Sequence, residues 1–315
     1  MQTFAIEARG LVKKYGDFTA VQGIDFAVPT GAIFALLGPN GAGKTTTIHM
    51  LTTLIAPSAG TAAVAGFDIV RAADQVRARI GVTFQEIAVD QDLTGREVLD
   101  IHGRLYRQPS ALRRQRISAL VELVQLGDAL DRRVRTYSGG MKRRLELARG
   151  LMTDPEVLFL DEPTQGLDPQ NRVGIWSYIR ELNRTRGLSL LLTTHYMDEA
   201  EALANLVGIV DHGRLVAEGA PDALVAALGA DLIRVRGQGD TSHFAREVAT
   251  LPFVSRVDSD ASNNAVLVYV DSGSSRLVDV IGVSNGNGFH VDDVTVARPS
   301  LGDVFLHYTG RALRD

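Results

Sequence analysis

The chain has 315 residues, room for about two domains, and is 45% hydrophobic and 22% charged, which excludes a disordered chain. Thirty-three basic against 37 acidic side chains leave a formal charge of −4, so no broad positive field attracts nucleic acid. Cysteine is absent, which removes disulfides, thiolate metal sites and a cysteine nucleophile. No apolar run approaches the roughly 18 residues of a membrane span. The first ten residues carry Glu7 and Arg9 and lack a signal-peptide core. The expectation is a cytosolic protein whose membrane role comes through a partner.

Up to about residue 228 short apolar runs alternate with amphipathic stretches. Ile33–Leu37, Val157–Leu160, Leu188–Leu192 and Leu206–Val210 suit strands buried on both faces of a parallel sheet. Thr45–Leu54, Val98–Tyr106, Arg113–Leu126, Gly140–Met152, Arg172–Arg186 and Met197–Ala204 predict helices. Strand alternating with helix is the α/β signature. After Gly229 the texture changes. Asp231–Arg236, Val254–Asp258, Ala265–Val270 and Phe289–Ala297 predict strands, and His243–Leu251 and Ser275–Val283 predict helices. The order β-α-β-β-α-β predicts a small ferredoxin-like sandwich, with turns at Gly237–Ser242, Ser259–Asn264 and Ser284–Gly288. The domains expected are therefore residues 1–228 and 229–315.

Gly38-Pro39-Asn40-Gly41-Ala42-Gly43-Lys44-Thr45 fits G-x-x-x-x-G-K-[ST] between an apolar run and an amphipathic helix. Glycines let successive backbone N–H groups converge on an anion, and the helix aims its positive end at the same point. Lys44 reaches the β- and γ-phosphates and the Thr45 hydroxyl ligates Mg²⁺ in such a loop. Further on, Val157–Leu160 runs into Asp161 and Glu162. The carboxyl end of a strand is where open α/β sheets bind ligands, and adjacent side chains point apart. Asp161 suits Mg²⁺, which prefers oxygen ligands. Glu162 suits a general base for an attacking water.

Tyr137-Ser138-Gly139-Gly140-Met141 opens a basic helix, Gln85 follows Ile80–Phe84, Gly166-Leu167-Asp168-Pro169 follows the acids, and His195 ends Leu188–Thr194. With these motifs in this order, residues 4 to about 228 resemble the nucleotide-binding subunit of an ATP-binding cassette (ABC) transporter, a P-loop ATPase core with a helical subdomain. The resemblance implies that residues 38–46, including Thr46, cradle ATP. It makes Tyr15 the aromatic that stacks on adenine, against the plain alternative of a half-buried core tyrosine. It makes Gln85 a contact to Mg²⁺ or the lytic water and Asp168 an acid communicating across a dimer. Ser138, Gly139 and Gly140 become the cap on the γ-phosphate from the opposite subunit, and His195 a donor to that phosphate. Met141 and Tyr137 depart from the family's usual Gln and Leu, while Ser138 and both glycines remain.

The Tyr137–Met141 variant, Phe84-Gln85-Glu86, Asp92-Leu93-Thr94-Gly95, Thr194–Ala200 and the tail Pro299–Leu306 resemble ATPases of the daunorubicin-resistance type. These serve ABC-2 type permeases in export. The resemblance implies a homodimer of ATPase subunits bound peripherally to the cytoplasmic face of the membrane, hydrolysing ATP to drive efflux of a drug, antibiotic or lipid-like substrate. Without that resemblance, the tail is an amphipathic docking helix. The cluster Arg132, Arg133, Arg135, Lys142, Arg143 and Arg144 reads as a solvated helix face rather than a nucleic-acid footprint. Two other classes share the motifs: soluble ABC ATPases acting on ribosomes or DNA, and non-hydrolysing regulatory modules. A single cassette, no long insertion between Lys44 and Ser138, and the presence of Glu162 and His195 count against them.

Overall fold

The computed structural model describes residues 3–86, 88–229, 231–260, 264–284 and 289–310. Parts of the turn segments Ser259–Asn264 and Ser284–Gly288 lie outside them. The chain forms two compact units, residues 1–215 and 216–315. The division falls within the strand Arg214–Gly219, ahead of the change in texture at Gly229.

A six-stranded sheet, whose first strand crosses that division, runs in the order Arg214–Gly219, Leu206–Asp211, Ile33–Leu37, Ser189–Thr194, Val157–Asp161, Ile80–Thr83. The last five strands are mutually parallel. Every residue of Ile33–Leu37, Val157–Asp161 and Ser189–Thr194 is buried. Full burial of both faces accounts for continuous apolar runs where a half-exposed strand would alternate. The register aligns the carboxyl ends of these three strands. Leu37 stands beside Thr194, and Asp161 beside Thr193. The turns that leave them therefore emerge together at one edge.

A second sheet, Phe18–Pro29, Phe4–Tyr15, Ala59–Val64 and Phe67–Asp68, is antiparallel and was not expected from the sequence. Register shifts along Phe4–Tyr15 break its alternation. The hairpin pairs Tyr15 with Phe18 at its tip.

The helices Gly95–Leu105, Ser110–Leu123 and Gly139–Leu151 overlap the stretches read as helical, each beginning and ending one to three residues earlier. Thr94 and Glu97 form a reciprocal capping box at the first. Ser138 caps the third by accepting from Met141 N–H. That third helix lies against the edge strand Ile80–Thr83, where a Cβ at Gly81 would stand 2.2 Å from the Gly150 carbonyl oxygen. Only glycine permits so close an approach.

The second unit carries the sheet Val254–Asp260, Ala265–Val270, Asp231–Gly239, Phe289–Ala297, all antiparallel. With the helices Thr241–Val248 and Gly273–Gly282 this is the β-α-β-β-α-β order read from the sequence. Its core gathers Ile233, Val235, Phe244, Val248, Val266 and Phe289, with Phe244 stacked on Phe289 at 4.6 Å. The tail forms the helix Leu301–Thr309 with its own capping box, and Leu301, Val304 and Phe305 are buried.

Gly81→Ala is expected to push the third helix off the sheet edge and cost about 1–3 kcal/mol. Denaturant unfolding with an unchanged midpoint would show that the helix tolerates the displacement.

Candidate functional site

The loop after Ile33–Leu37 reaches the helix Lys44–Leu51 through Gly43, whose φ of 104° places it in the left-handed region. Gly41 is there too, at 80°. These angles suit glycine and turn the backbone N–H groups of the loop inward. Lys44 is almost fully buried. Its Nζ donates to the carbonyl oxygens of Gly38 at 2.7 Å and Pro39 at 3.0 Å and lies 3.4 Å from Glu162 Oε1. Burial lowers its pKa, and the neighbouring Glu162 and Asp161 charges push back against that.

At the facing strand end Asp161 and Glu162 engage different partners. Asp161 Oδ1 accepts from Thr45 Oγ1 at 3.1 Å and from Thr193 Oγ1. Thr45 and Asp161 thus present hard oxygen donors side by side, a set that suits Mg²⁺, which completes its shell with water and substrate phosphates. Among the described residues no group of three or more His, Asp or Glu side chains could hold a metal alone. A hard ion shared with phosphate needs no such group.

Glu162 has a φ of 47°, a conformation that costs a non-glycine residue about 1–2 kcal/mol and persists only where the surroundings enforce it. Here its N–H donates to the Thr193 hydroxyl at 3.0 Å and to the Thr193 carbonyl at 3.2 Å. Its own carbonyl accepts from Arg143 Nη2 at 2.8 Å. The carboxylate is 5% exposed. Glu162 Oε2 lies 3.1 Å from His195 Nδ1, at ion-pair distance but off hydrogen-bond angles, so both atoms keep bonding capacity. The His195 ring packs on Tyr196 at 4.0 Å, and Arg172 covers the other ring at 3.7 Å. Removing one partner of the buried Lys44–Glu162 pair costs about 3–5 kcal/mol.

A cleft of about 420 Å³ is lined by Tyr15, Phe18, Ala20, Asn40, Gly41, Gly43, Lys44, Thr45, Thr46, Gln85 and Glu162. The structure thus brings together most residues read as nucleotide contacts. Tyr15 is 49% exposed and lines the cleft. Phe18, unremarked in the sequence, exposes its ring beside it. Gln85 donates from Nε2 to Gln165 Oε1 at 2.6 Å. Ser138, Gly139, Gly140 and Asp168 do not line the cleft. Ser138 and Asp168 cap helices, Asp168 accepting from Asn171 N–H at 3.0 Å. Ser138 and Gly139 are exposed, as residues of an outward-facing surface.

Two further groups support the site. Glu199 is fully buried and accepts from Thr164 Oγ1 at 2.7 Å and Trp176 Nε1 at 2.9 Å, and burial raises its pKa. Arg143 corrects the reading of a solvated basic face. It is 3% exposed and turned inward onto the strand end. The successive i,i+3 pairs Arg143–Glu146 and Glu146–Arg149 were the available signal, since residues three apart are neighbours on a helix surface.

A glycine loop at a helix N-terminus, a buried lysine, a strand-end carboxylate pair and a histidine at the next strand end define a P-loop nucleoside triphosphatase of the cassette type. The ABC transporter family model matches residues 21–165. A daunorubicin resistance ATP-binding protein of Streptomyces coeruleorubidus is 43% identical over 310 residues, 98% of this chain and 97% of its own. The Nod factor export ATP-binding protein I of Paraburkholderia xenovorans is 44% identical over 317 residues, covering 100% of both chains. Among solved structures, an ATP-binding cassette of an ABC transporter in its ADP conformation superposes with a TM-score of 0.64 at 25% identity, over 70% of this chain and 92% of its own. The cassette cbiO1 of Clostridium perfringens gives 0.64 at 26% identity, over 71% and 91%. The chain belongs to the ATP-binding subunits of ABC transporters. It is an ATPase of that family, and ATP is its nucleotide.

Thr193→Val keeps the shape but strips the hydroxyl that serves both acids. Leaving the buried groups underbonded is expected to cost about 1–3 kcal/mol and to slow ATP turnover about 10–100-fold. Wild-type turnover in steady-state phosphate release would show that the hydroxyl positions neither acid.

Proposed function

We propose that this chain is the energy-coupling ATPase of an export transporter, working at the cytoplasmic face of the membrane on a separate permease of the ABC-2 type. What supports export is kinship over nearly the whole length to proteins named for daunorubicin resistance and for Nod factor export. A drug, antibiotic or lipid-like molecule is the substrate class that fits both. No described helix is long and apolar enough to cross a membrane, so the path for that substrate belongs to another subunit. Residues 1–228 act as the ATP-binding domain and residues 229–315 as its accessory domain.

The observation that carries the hydrolytic reading is the cluster of Lys44, Glu162 and His195, joined at 3.4 and 3.1 Å at the strand-end edge. Tyr15 stacks on adenine. The loop from Gly38 to Thr46 cradles the phosphates. Lys44 Nζ moves from the Gly38 and Pro39 carbonyls to the phosphate oxygens. Thr45 and Asp161 would hold Mg²⁺, with Gln85 as a further oxygen donor; the ion, when bound, would neutralise phosphate charge. Glu162 Oε2, which has bonding capacity to spare, takes the proton of the attacking water, and His195 with Lys44 stabilises the charge that develops on the γ-phosphate.

The serine–glycine–glycine segment Ser138-Gly139-Gly140 does not line its own cleft; Ser138 and Gly139 are exposed, while Gly140 is buried against Asn171. It completes the site of a second copy, in a two-fold homodimer with two composite sites. Asp168 sits at the facing helix start and carries the signal across the pair. Closure of the dimer on ATP and its reopening after phosphate loss move the region from Gln85 to Arg107, which contacts the permease.

Glu162→Gln keeps the shape of the cleft and is expected to retain ATP affinity while hydrolysis falls about 10²–10⁴-fold. With ATP bound the variant should accumulate as a dimer in light scattering behind size exclusion. Hydrolysis at the wild-type rate would remove the base assignment, and a monomer at saturating ATP would remove the composite site.

A further inference from the structure

We propose that Arg143 is a positioning residue for hydrolysis: it locks the backbone of Glu162 and the start of the Gln85 loop to the helix that carries Ser138, Gly139 and Gly140. The inference rests on the reading of Glu162 as the base.

The guanidinium uses its fork fully. Nε donates to the Pro163 carbonyl at 2.6 Å. Nη2 donates to the carbonyls of Asp161 at 3.0 Å and Glu162 at 2.8 Å. Nη1 donates to the Phe84 carbonyl at 2.6 Å and to Glu146 Oε2 at 3.1 Å. Four backbone oxygens from two separate loops thus meet one cation at 3% exposure. Planar geometry and five donors make arginine the side chain able to do this.

Glu146 orients the fork and extends it. Fully buried, it accepts from the Ala88 N–H at 3.2 Å and from Arg149 Nη2 at 3.2 Å. Arg149 Nη1 in turn donates to the Ala88 carbonyl at 3.3 Å. The helix Gly139–Leu151 therefore grips the Gln85 loop on both sides, at Phe84 and at Ala88, and grips the acid pair beyond it. Arg143 sits one turn after the Ser138 cap. A displacement of that helix start is carried through the guanidinium's bonds to the strained backbone of Glu162, whose φ of 47° needs continuous restraint. The arrangement gives a mechanical reason for hydrolysis to depend on the helix that reads the second nucleotide.

A plainer role for Arg143 is neutralising buried Glu146. The two roles separate in a double variant, because a buried ion pair replaced on both sides by apolar groups of similar volume commonly keeps stability. The test compares the full-length wild type with Arg143→Met, Arg143→Met/Glu146→Leu and Glu162→Gln. It reads kcat, KM, ATP affinity by equilibrium binding, and thermal unfolding. The clamp predicts that Arg143→Met lowers kcat about 10²-fold with ATP affinity within about twofold of wild type. It predicts that the double variant still lacks turnover, because the four carbonyl bonds of Arg143 are lost whether or not Glu146 is present.

Recovery of kcat in the double variant overturns the proposal in favour of charge neutralisation. Near-wild-type turnover in Arg143→Met, with Glu162→Gln inactive, overturns the clamp and leaves the base assignment standing. Full turnover in Glu162→Gln overturns the base assignment itself. Loss of folding in both Arg143 variants overturns the proposal by making Arg143 a folding determinant.

Discussion

Two carboxylates held out of water at the end of one parallel strand set the terms for the rest of this fold. Burial penalises each charge by several kcal/mol unless partners are supplied. The structure supplies them from different directions. Asp161 is served by hydroxyls of Thr45 and Thr193. Glu162 is served by Lys44 and His195. Those partners come from the phosphate loop and the neighbouring strand, so the electrostatic need of the acids also assembles the nucleotide site. The same groups that stabilise the carboxylates are the ones that phosphates would draw on.

The backbone has a parallel role. A glutamate in left-handed conformation between a strand and a loop has no local reason to stay there. Thr193 holds its N–H and Arg143 its carbonyl. The carboxylate direction is therefore fixed by main-chain restraint from opposite sides of the sheet edge rather than by side-chain rotamer choice alone. Restraint of that kind would hold a base within the small tolerance that catalysis allows, as the proposed role of Glu162 requires.

The second unit has its own core and its own helix-capped end, built on Phe244, Phe289 and the valine-rich strand Ala265–Val270. Kinship to export ATPases continues through it, so it belongs to the working protein rather than to a variable appendage.

The residues read as nucleotide contacts were legible in the sequence, because such chemistry dictates residue types at fixed local spacing: glycines where φ is positive, a lysine at the helix start, acids after an apolar strand. The parallel strands were legible because burial on both faces leaves unbroken apolar runs. The antiparallel sheet was hidden by bulges in Phe4–Tyr15 that erase period two. Thr193 and Arg143 were hidden for another reason. Their roles arise from register and close packing, Asp161 beside Thr193 and Gly81 under the Gly139–Leu151 helix. Neither is encoded in the sequence near the residue it serves. Local covalent spacing determined the cradle and the acids, whereas the partners that make those acids tolerable in a low-dielectric interior come from distant segments, which only folding brings within hydrogen-bond reach.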